Sequence, residues 1–152
     1  MNKNESLKWL KEQNNIIIDD KDKEKILDIS NPVRGIYGIF IDENGEEKCV
    51  YVGRSNSIYD RLVCGHVTNL MKKKHTNQQL QNAMDNGKNI KIKILIEVPY
   101  KFDNYYKDMQ RLASEENRCI DKYQEMDQCL EQVPEGTGLK KEKWEEMKKI
   151  NK

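Results

Sequence analysis

One acidic residue stands where a packed helix should present a hydrophobic one. From about Asn104 to Leu130 apolar residues recur in steps of three and four (Tyr105, Met109, Leu112, Cys119, Tyr123, Met126, Leu130), which predicts one long amphipathic helix. The single gap in that stripe falls at Glu116. A carboxylate on a packed face costs on the order of several kcal/mol unless it is paired, hydrogen-bonded or metal-bound. Two chemistries follow: a partly buried ion pair, with Arg61 or Arg111 as partner, or a metal ligand at the mouth of a site. Cys64 and His66 with Cys119 and Cys129 match no common zinc spacing. Trp9 and Trp144 suit the edge of a core better than a base-stacking platform.

Charge is unevenly spread. The chain carries 27 Lys+Arg against 26 Asp+Glu, a net +1. Between positions 50 and 93 the balance is +6, set by Arg54, Arg61, Lys72, Lys73, Lys74, Lys88, Lys91 and Lys93. Between 103 and 131 it is −4. A basic middle beside an acidic helix predicts an anion-binding face.

The chain has 152 residues, the size of one domain. With 36% hydrophobic and 35% charged residues it predicts a small core and strongly charged helices. The longest apolar run, Ile16-Ile17-Ile18, is far too short to cross a bilayer, and the first residues do not lead into a signal-peptide core. Four cysteines without CxxC pairing predict reduced thiols in an intracellular, cytoplasmic protein.

The elements that must position these groups come next. Residues 5–28 read as a weak helical arm that Asn31-Pro32 ends. Gly35 to Ile41 and Cys49 to Val52 read as a hairpin across Asp42-Glu43-Asn44-Gly45. Ser57 begins a capping box for a helix to about Leu70, and a second short helix runs from Asn77 to Asp85. Ile90 to Val98 alternates strictly, which predicts a strand that Pro99 closes. After a loop at 133–138, the tail is a last amphipathic helix carrying Trp144, Met147 and Ile150, a candidate surface for a homodimer or a partner protein.

Gly35-Ile36-Tyr37 on the first hairpin strand, Tyr51-Val52-Gly53 on the second, Arg61 ten residues after Tyr51, and Glu116 in the late helix together resemble the GIY-YIG nuclease family. The resemblance covers roughly residues 33–130. It implies an α+β fold, a small mainly antiparallel three-stranded sheet flanked by helices. The division is then an N-terminal arm (1–32), a nuclease-like domain (33–132) and a C-terminal loop and helix (133–152). It implies that Tyr37 and Tyr51 stand together, one of them as general base, that Arg61 holds the scissile phosphate, and that Glu116 anchors one Mg²⁺ or Mn²⁺ ion. Arg54 matches a basic residue that helps lower a tyrosine pKa in some relatives, and His75 a histidine of homing-type members. The partner implied is DNA, cut to 5′-phosphate and 3′-hydroxyl ends, with Lys72, Lys73, Lys74, Lys91 and Lys93 as its backbone contacts.

The physical requirements can be stated separately. Phosphodiester hydrolysis needs a deprotonated nucleophile, positive charge on the phosphate oxygens and stabilisation of the departing oxygen. Tyrosine titrates near pH 10, so it acts as a base at neutral pH only beside positive charge. Arginine stays protonated and grips phosphate with a bidentate fork. If about six phosphates are covered, DNA affinity falls on the order of a thousandfold or more between 50 and 200 mM salt.

Hairpin register tests the pairing of the tyrosines. A two-residue Asn44-Gly45 turn pairs 43 with 46 and sends Tyr37 and Tyr51 to opposite faces. A three-residue loop pairs 42 with 46 and sets the tyrosines directly across from each other. The nuclease reading calls for the second. Two departures from the family stand out. His66 lies one step past the usual helix histidine and reads as a core or edge residue among Tyr59, Leu62, Val63 and Leu70. The late asparagine is missing, leaving Gln128 or Gln132 as its replacement. A catalytically silent nucleic-acid-binding or interaction module on the same scaffold is the alternative.

Overall fold

The computed structural model describes residues 3–133 and 141–150. Its elements are α1 (Lys3–Glu12), β1 (Ile16–Ile18), α2 (Lys23–Ile26), β2 (Gly35–Glu43) and β3 (Glu46–Ser55). Then come α3 (Ile58–Asp60), a π-helical segment (Arg61–Val67), α4 (Thr68–Met71) and α5 (Gln78–Asp85). The last are β4 (Ile90–Glu97), α6 (Tyr105–Gln124) and α7 (Lys141–Ile150). The class is α+β, a mixed sheet flanked by helices.

The sheet has four strands, in the order β1-β4-β2-β3, where three were expected. The fourth comes from the arm read as helical. Ile16-Ile17-Ile18 is a run of β-branched residues, and it pairs parallel to β4, Ile16 with Ile90 and Ile18 with Ile92. The arm is also part of the core. Leu10, Ile16, Ile18 and Ile26 pack in the cluster that holds Tyr37, Ile39, Val50, Leu62, Ile90 and Ile92.

That cluster fills one face of the sheet, beneath α1 and the helices from α3 to α5. The other face carries Ile36, Phe40, Cys49 and Val52 against Leu112 and Ile120 of α6. Alternation along the strands sorts the side chains between these faces.

The β2–β3 hairpin follows neither register expected from the sequence. Its turn is the two-residue one, with Asn44 at φ 54° and Gly45 at φ 85°, the left-handed pair a type I′ turn requires. Glu43 therefore pairs with Glu46. A bulge then intervenes: Phe40 pairs with Cys49 but Ile39 with Tyr51, so Val50 is the extra residue. Past the bulge Tyr37 pairs with Gly53 and Tyr51 with Ile39, which returns both tyrosines to one face. Val50, in the first core cluster, shares that face, whereas Cys49 belongs to the other.

Helix α6 starts where Asn104 Oδ1 accepts from the Lys107 amide (3.0 Å). It ends at Gln124, earlier than the sequence suggested, and Asp127 and Cys129 both adopt positive φ. Leu130, placed on the packed stripe by its spacing, is 65% exposed for that reason. In the tail, Met147 is 44% exposed. The expectations for the Trp144 and Ile150 side chains and for residues 134–140 lie outside the described residues.

Candidate active site

Tyr37 and Tyr51 lie side by side, ring centroids 6.1 Å apart, across a residue with no side chain. A Cβ on Gly53 would come 2.5 Å from Tyr37 Oη and 2.8 Å from Tyr51 Cε1. Glycine at this position is what lets the Tyr37 ring lie over the strand beside Tyr51. Tyr37 is fully buried (0% exposed), whereas Tyr51 is half-buried. Burial pushes the Tyr37 hydroxyl far above the ordinary phenol range, and Tyr51 adds to the rise against the opposing pull of Arg61.

The helix after β3 supplies the next groups. Ser57 caps it, its Oγ accepting from the Asp60 amide. From Arg61 to Val67 the turns widen to π spacing. Thr68 Oγ1 donates to the carbonyl of Val63, five residues back, at 3.1 Å. The wider turn swings His66, expected in the core, into the site. Arg61 Nη2 donates to Tyr51 Oη (3.2 Å), and the His66 ring stands edge-on to Tyr51 at 4.6 Å between centroids.

Behind the phenols runs a chain of nitrogens. His66 Nε2 is 2.7 Å from Tyr37 Oη, and His66 Nδ1 is 2.8 Å from His75 Nε2. His75 Nδ1 accepts from the Asn77 amide at 3.0 Å, and the His75 amide donates to Gln81 Oε1. Burial drives His66 down to about 3, with His75 and Arg61 adding to the shift. His75 is lowered by burial and by Arg61. Both rings are neutral at pH 7.

Arg54 and Glu116 meet on the other face. Val52 and Arg54 alternate with Tyr51 and Gly53 along β3 and turn toward α6, where Arg54 Nη1 pairs with Glu116 Oε1 at 2.9 Å. The Glu116 side chain is 4% exposed. The ion pair the sequence allowed is present, but with Arg54, not Arg61 or Arg111; Arg111 donates instead to the Pro99 carbonyl. Tyr37, Tyr51, Arg61 and His75 are thus brought together with His66. Arg54 and Glu116 form a second group across the thickness of the sheet at its edge strand, β3.

That edge is capped by side chains. Gln132 accepts from the Val52 amide (2.8 Å) and donates to the Val52 carbonyl, while Gln128 accepts from the Cys49 amide (2.6 Å). Both glutamines act as a partial fifth strand. Beside them a groove of about 250 Å³ is lined by Tyr51, Asn77, Gln78, Gln132 and their neighbours.

The lysines divide. Lys72, Lys73 and Lys74 are exposed on the loop leading to His75. Lys91 and Lys93 are tied to Glu47, at 3.3 and 2.6 Å, and Lys93 lies over the Phe40 ring on the α6 face. Their charge is engaged within the fold, away from Tyr51.

The group underrated from sequence is His66. The available sign was Gly65, a poor residue for a regular helix interior, beside it. Among the described residues no group of three His, Cys, Asp or Glu side chains could hold a metal ion. One carboxylate is nonetheless a sufficient protein donor for Mg²⁺, which keeps several waters and shares the substrate's phosphate oxygens. No helix among the described residues is long and apolar enough to cross a membrane. No protein-family model, curated protein or solved structure matches this chain.

Proposed function

We propose that this chain is a metal-dependent endonuclease of the GIY-YIG kind that hydrolyses DNA phosphodiester bonds. The observation that carries the reading is the juxtaposition of two phenol rings with the Arg61 guanidinium, beside a groove, at the edge strand β3. Phenols have little reason to cluster with a cation in a core; beside a phosphate they supply a base and its anion clamp.

In this reading a DNA strand crosses the edge of the sheet at β3 near Gly53 and meets side chains from both faces. From one side a phenol takes the proton of the attacking water and Arg61 grips the phosphate with its fork. Lys72, Lys73 and Lys74 hold the flanking backbone. From the other side Glu116 is the residue to hold a single Mg²⁺ or Mn²⁺, whose charge stabilises the phosphate oxygens as the bond breaks. Arg54 orients that carboxylate through their 2.9 Å ion pair. Products are 5′-phosphate and 3′-hydroxyl ends, and the setting is cytoplasmic.

A supercoiled plasmid incubated with and without Mg²⁺ or Mn²⁺ tests this. Nicking is expected only with the metal, and it is slowed steeply in Tyr51→Phe and Arg61→Ala. The second reading, a silent DNA-binding module, draws on the Arg54–Glu116 pair and on Gln128 and Gln132 being used up at the strand edge. It predicts binding without nicking under either metal.

A further inference from the structure

Four aromatic rings gather at one corner of the fold, and the site above uses none of them. Tyr100, Tyr105 and Tyr106 are 69%, 69% and 79% exposed, and Phe102 is 39% exposed. They lie on the connection from β4 to α6 and on the first turn of α6. Tyr100, Phe102 and Tyr105 line a cleft of about 350 Å³ together with Arg34, Asn56 and Met109. Tyr106 stands edge-on to Tyr105, 5.2 Å between centroids. Single exposed apolar residues are ordinary on a protein surface; a cluster of large rings marks a place where something binds.

The cleft is held from beneath by a buried arginine. Arg34 is 5% exposed, and each of its nitrogens donates. Nε bonds Asn56 Oδ1 (2.9 Å), Nη1 the Val98 carbonyl (2.6 Å) and Nη2 the Asp108 carbonyl (3.0 Å). So fixed, the guanidinium lies against the Tyr100 ring, 4.3 Å from its centroid, and Tyr100 Oη donates to the same Asn56 oxygen (3.4 Å). One face of that ring rests on a buried cation and the other is left to solvent. Phe102 is anchored through its amide, which donates with the Lys101 amide to Asp108 Oδ1 (3.1 and 3.0 Å). A ring already held in place loses little freedom when a flat partner stacks on it.

Cations frame the rings. The Lys101 and Lys107 ammonium groups lie 5.6 and 5.7 Å from the Phe102 centroid, and Arg111 reaches back to the Pro99 carbonyl (2.7 Å). Asp108 is spent on the two amides, which leaves Asp103 as the other acid lining the cleft. The acidic stretch of α6 begins only at Glu115. Protein-binding patches are also rich in tyrosine, but lysine is depleted in them. Rings interleaved with lysines suit a strand whose bases stack and whose backbone is negative. A duplex hides its base faces, so the strand must be unpaired. We propose that this corner binds single-stranded nucleic acid, with Tyr100, held on Arg34, as the stacking platform, Phe102 and Tyr105 beside it, and Lys101 and Lys107 on the phosphates. The site needs neither Tyr37 and Tyr51 nor a metal, so it stands or falls apart from the nuclease reading.

Fluorescence anisotropy of a labelled short oligothymidylate on the full chain, at low salt and with EDTA to prevent cleavage, tests this. The oligothymidylate should bind at least about tenfold more tightly than a strand of equal length built of abasic sites, which keeps the phosphates and lacks the rings. Tyr100→Ala should weaken the oligothymidylate about tenfold and leave the abasic strand unaffected, and Tyr100→Trp should restore the difference. Equal affinity for the two strands overturns the proposal, as does an unchanged affinity in folded Tyr100→Ala. Should that variant not fold, the unmodified chain with ¹³C-labelled tyrosine decides: the oligothymidylate should shift the Tyr100 and Tyr105 ring signals and leave the sealed Tyr37 in place. Shifts absent from Tyr100 and Tyr105 overturn it. A concentration-dependent dimer that Tyr105→Ala/Tyr106→Ala dissolves would give the corner to a second copy of the chain and also overturn it.

Discussion

Arg61 and His66 are five residues apart and both reach Tyr51, one through a hydrogen bond of 3.2 Å and the other through a ring contact at 4.6 Å. In a regular α-helix five residues leave two side chains about 140° apart. The π-helical segment from Arg61 to Val67 closes that angle. One added residue in a helix thereby turns a core histidine into part of a polar site, at the place where such bulges tend to mark function.

Stability should depend on pH through the same histidine. His66 titrates at about 3 in the folded chain, below the 6.5 of an exposed ring. The unfolded chain therefore binds more protons across that window. The stabilisation is complete above about pH 6.5 and is lost as the pH falls toward 3, with a slope approaching about 1.4 kcal/mol per pH unit. His75, also lowered, contributes with the same sign. Urea midpoints at several pH values check this, and a flat profile would contradict the buried neutral pair. His66→Gln should remove most of the slope.

Gly53→Ala should disturb the phenol pair more than any small-residue change elsewhere on β3. The added methyl meets Tyr37 Oη and Cζ at 2.5 and 2.6 Å and Tyr51 Cε1 at 2.8 Å. Overpacking of this kind costs about 1–3 kcal/mol. A lower urea midpoint with an altered near-UV dichroism of tyrosine is the expected outcome.

Arg61 is exposed, so Arg61→Ala should leave the fold intact while lowering the cleavage rate by about 10²–10³, the loss typical of a removed anion-stabilising donor. Full activity in that variant would remove Arg61 from the chemistry.

Glu116→Gln keeps an oxygen for Arg54 to donate to, so DNA binding and folding should persist while metal-dependent nicking disappears. Retained nicking would overturn the metal role of Glu116 without touching the tyrosines.

Salt dependence should be shallower than the local charge suggests. With Lys91 and Lys93 held by Glu47, about four cations (Arg61, Lys72, Lys73 and Lys74) remain for phosphates on the Tyr51 side. Affinity should then fall on the order of a hundredfold between 50 and 200 mM salt, against the thousandfold expected for six contacts. Fluorescence anisotropy across that range separates the two, and no dependence would remove DNA as the partner.

Local chemistry in the chain was enough for the hairpin strands, the Ser57, Asn77 and Asn104 caps and the alternating β4. It also marked Glu116 as a buried carboxylate in need of a partner. Each rests on neighbours a few residues away, which periodicity reads directly. Three decisions belonged to the tertiary structure. Ile16-Ile17-Ile18 became a strand because β4 offered an open edge. Val50 was squeezed out as a bulge, which put Tyr37 and Tyr51 on one face despite a two-residue turn. The helix widened to π at Arg61, which aimed His66 at Tyr37. Both insertions are locally unfavourable and are offset only by packing and hydrogen bonds from distant residues. A one-residue shift reverses which face a side chain takes, so no pattern of near neighbours could have foretold it.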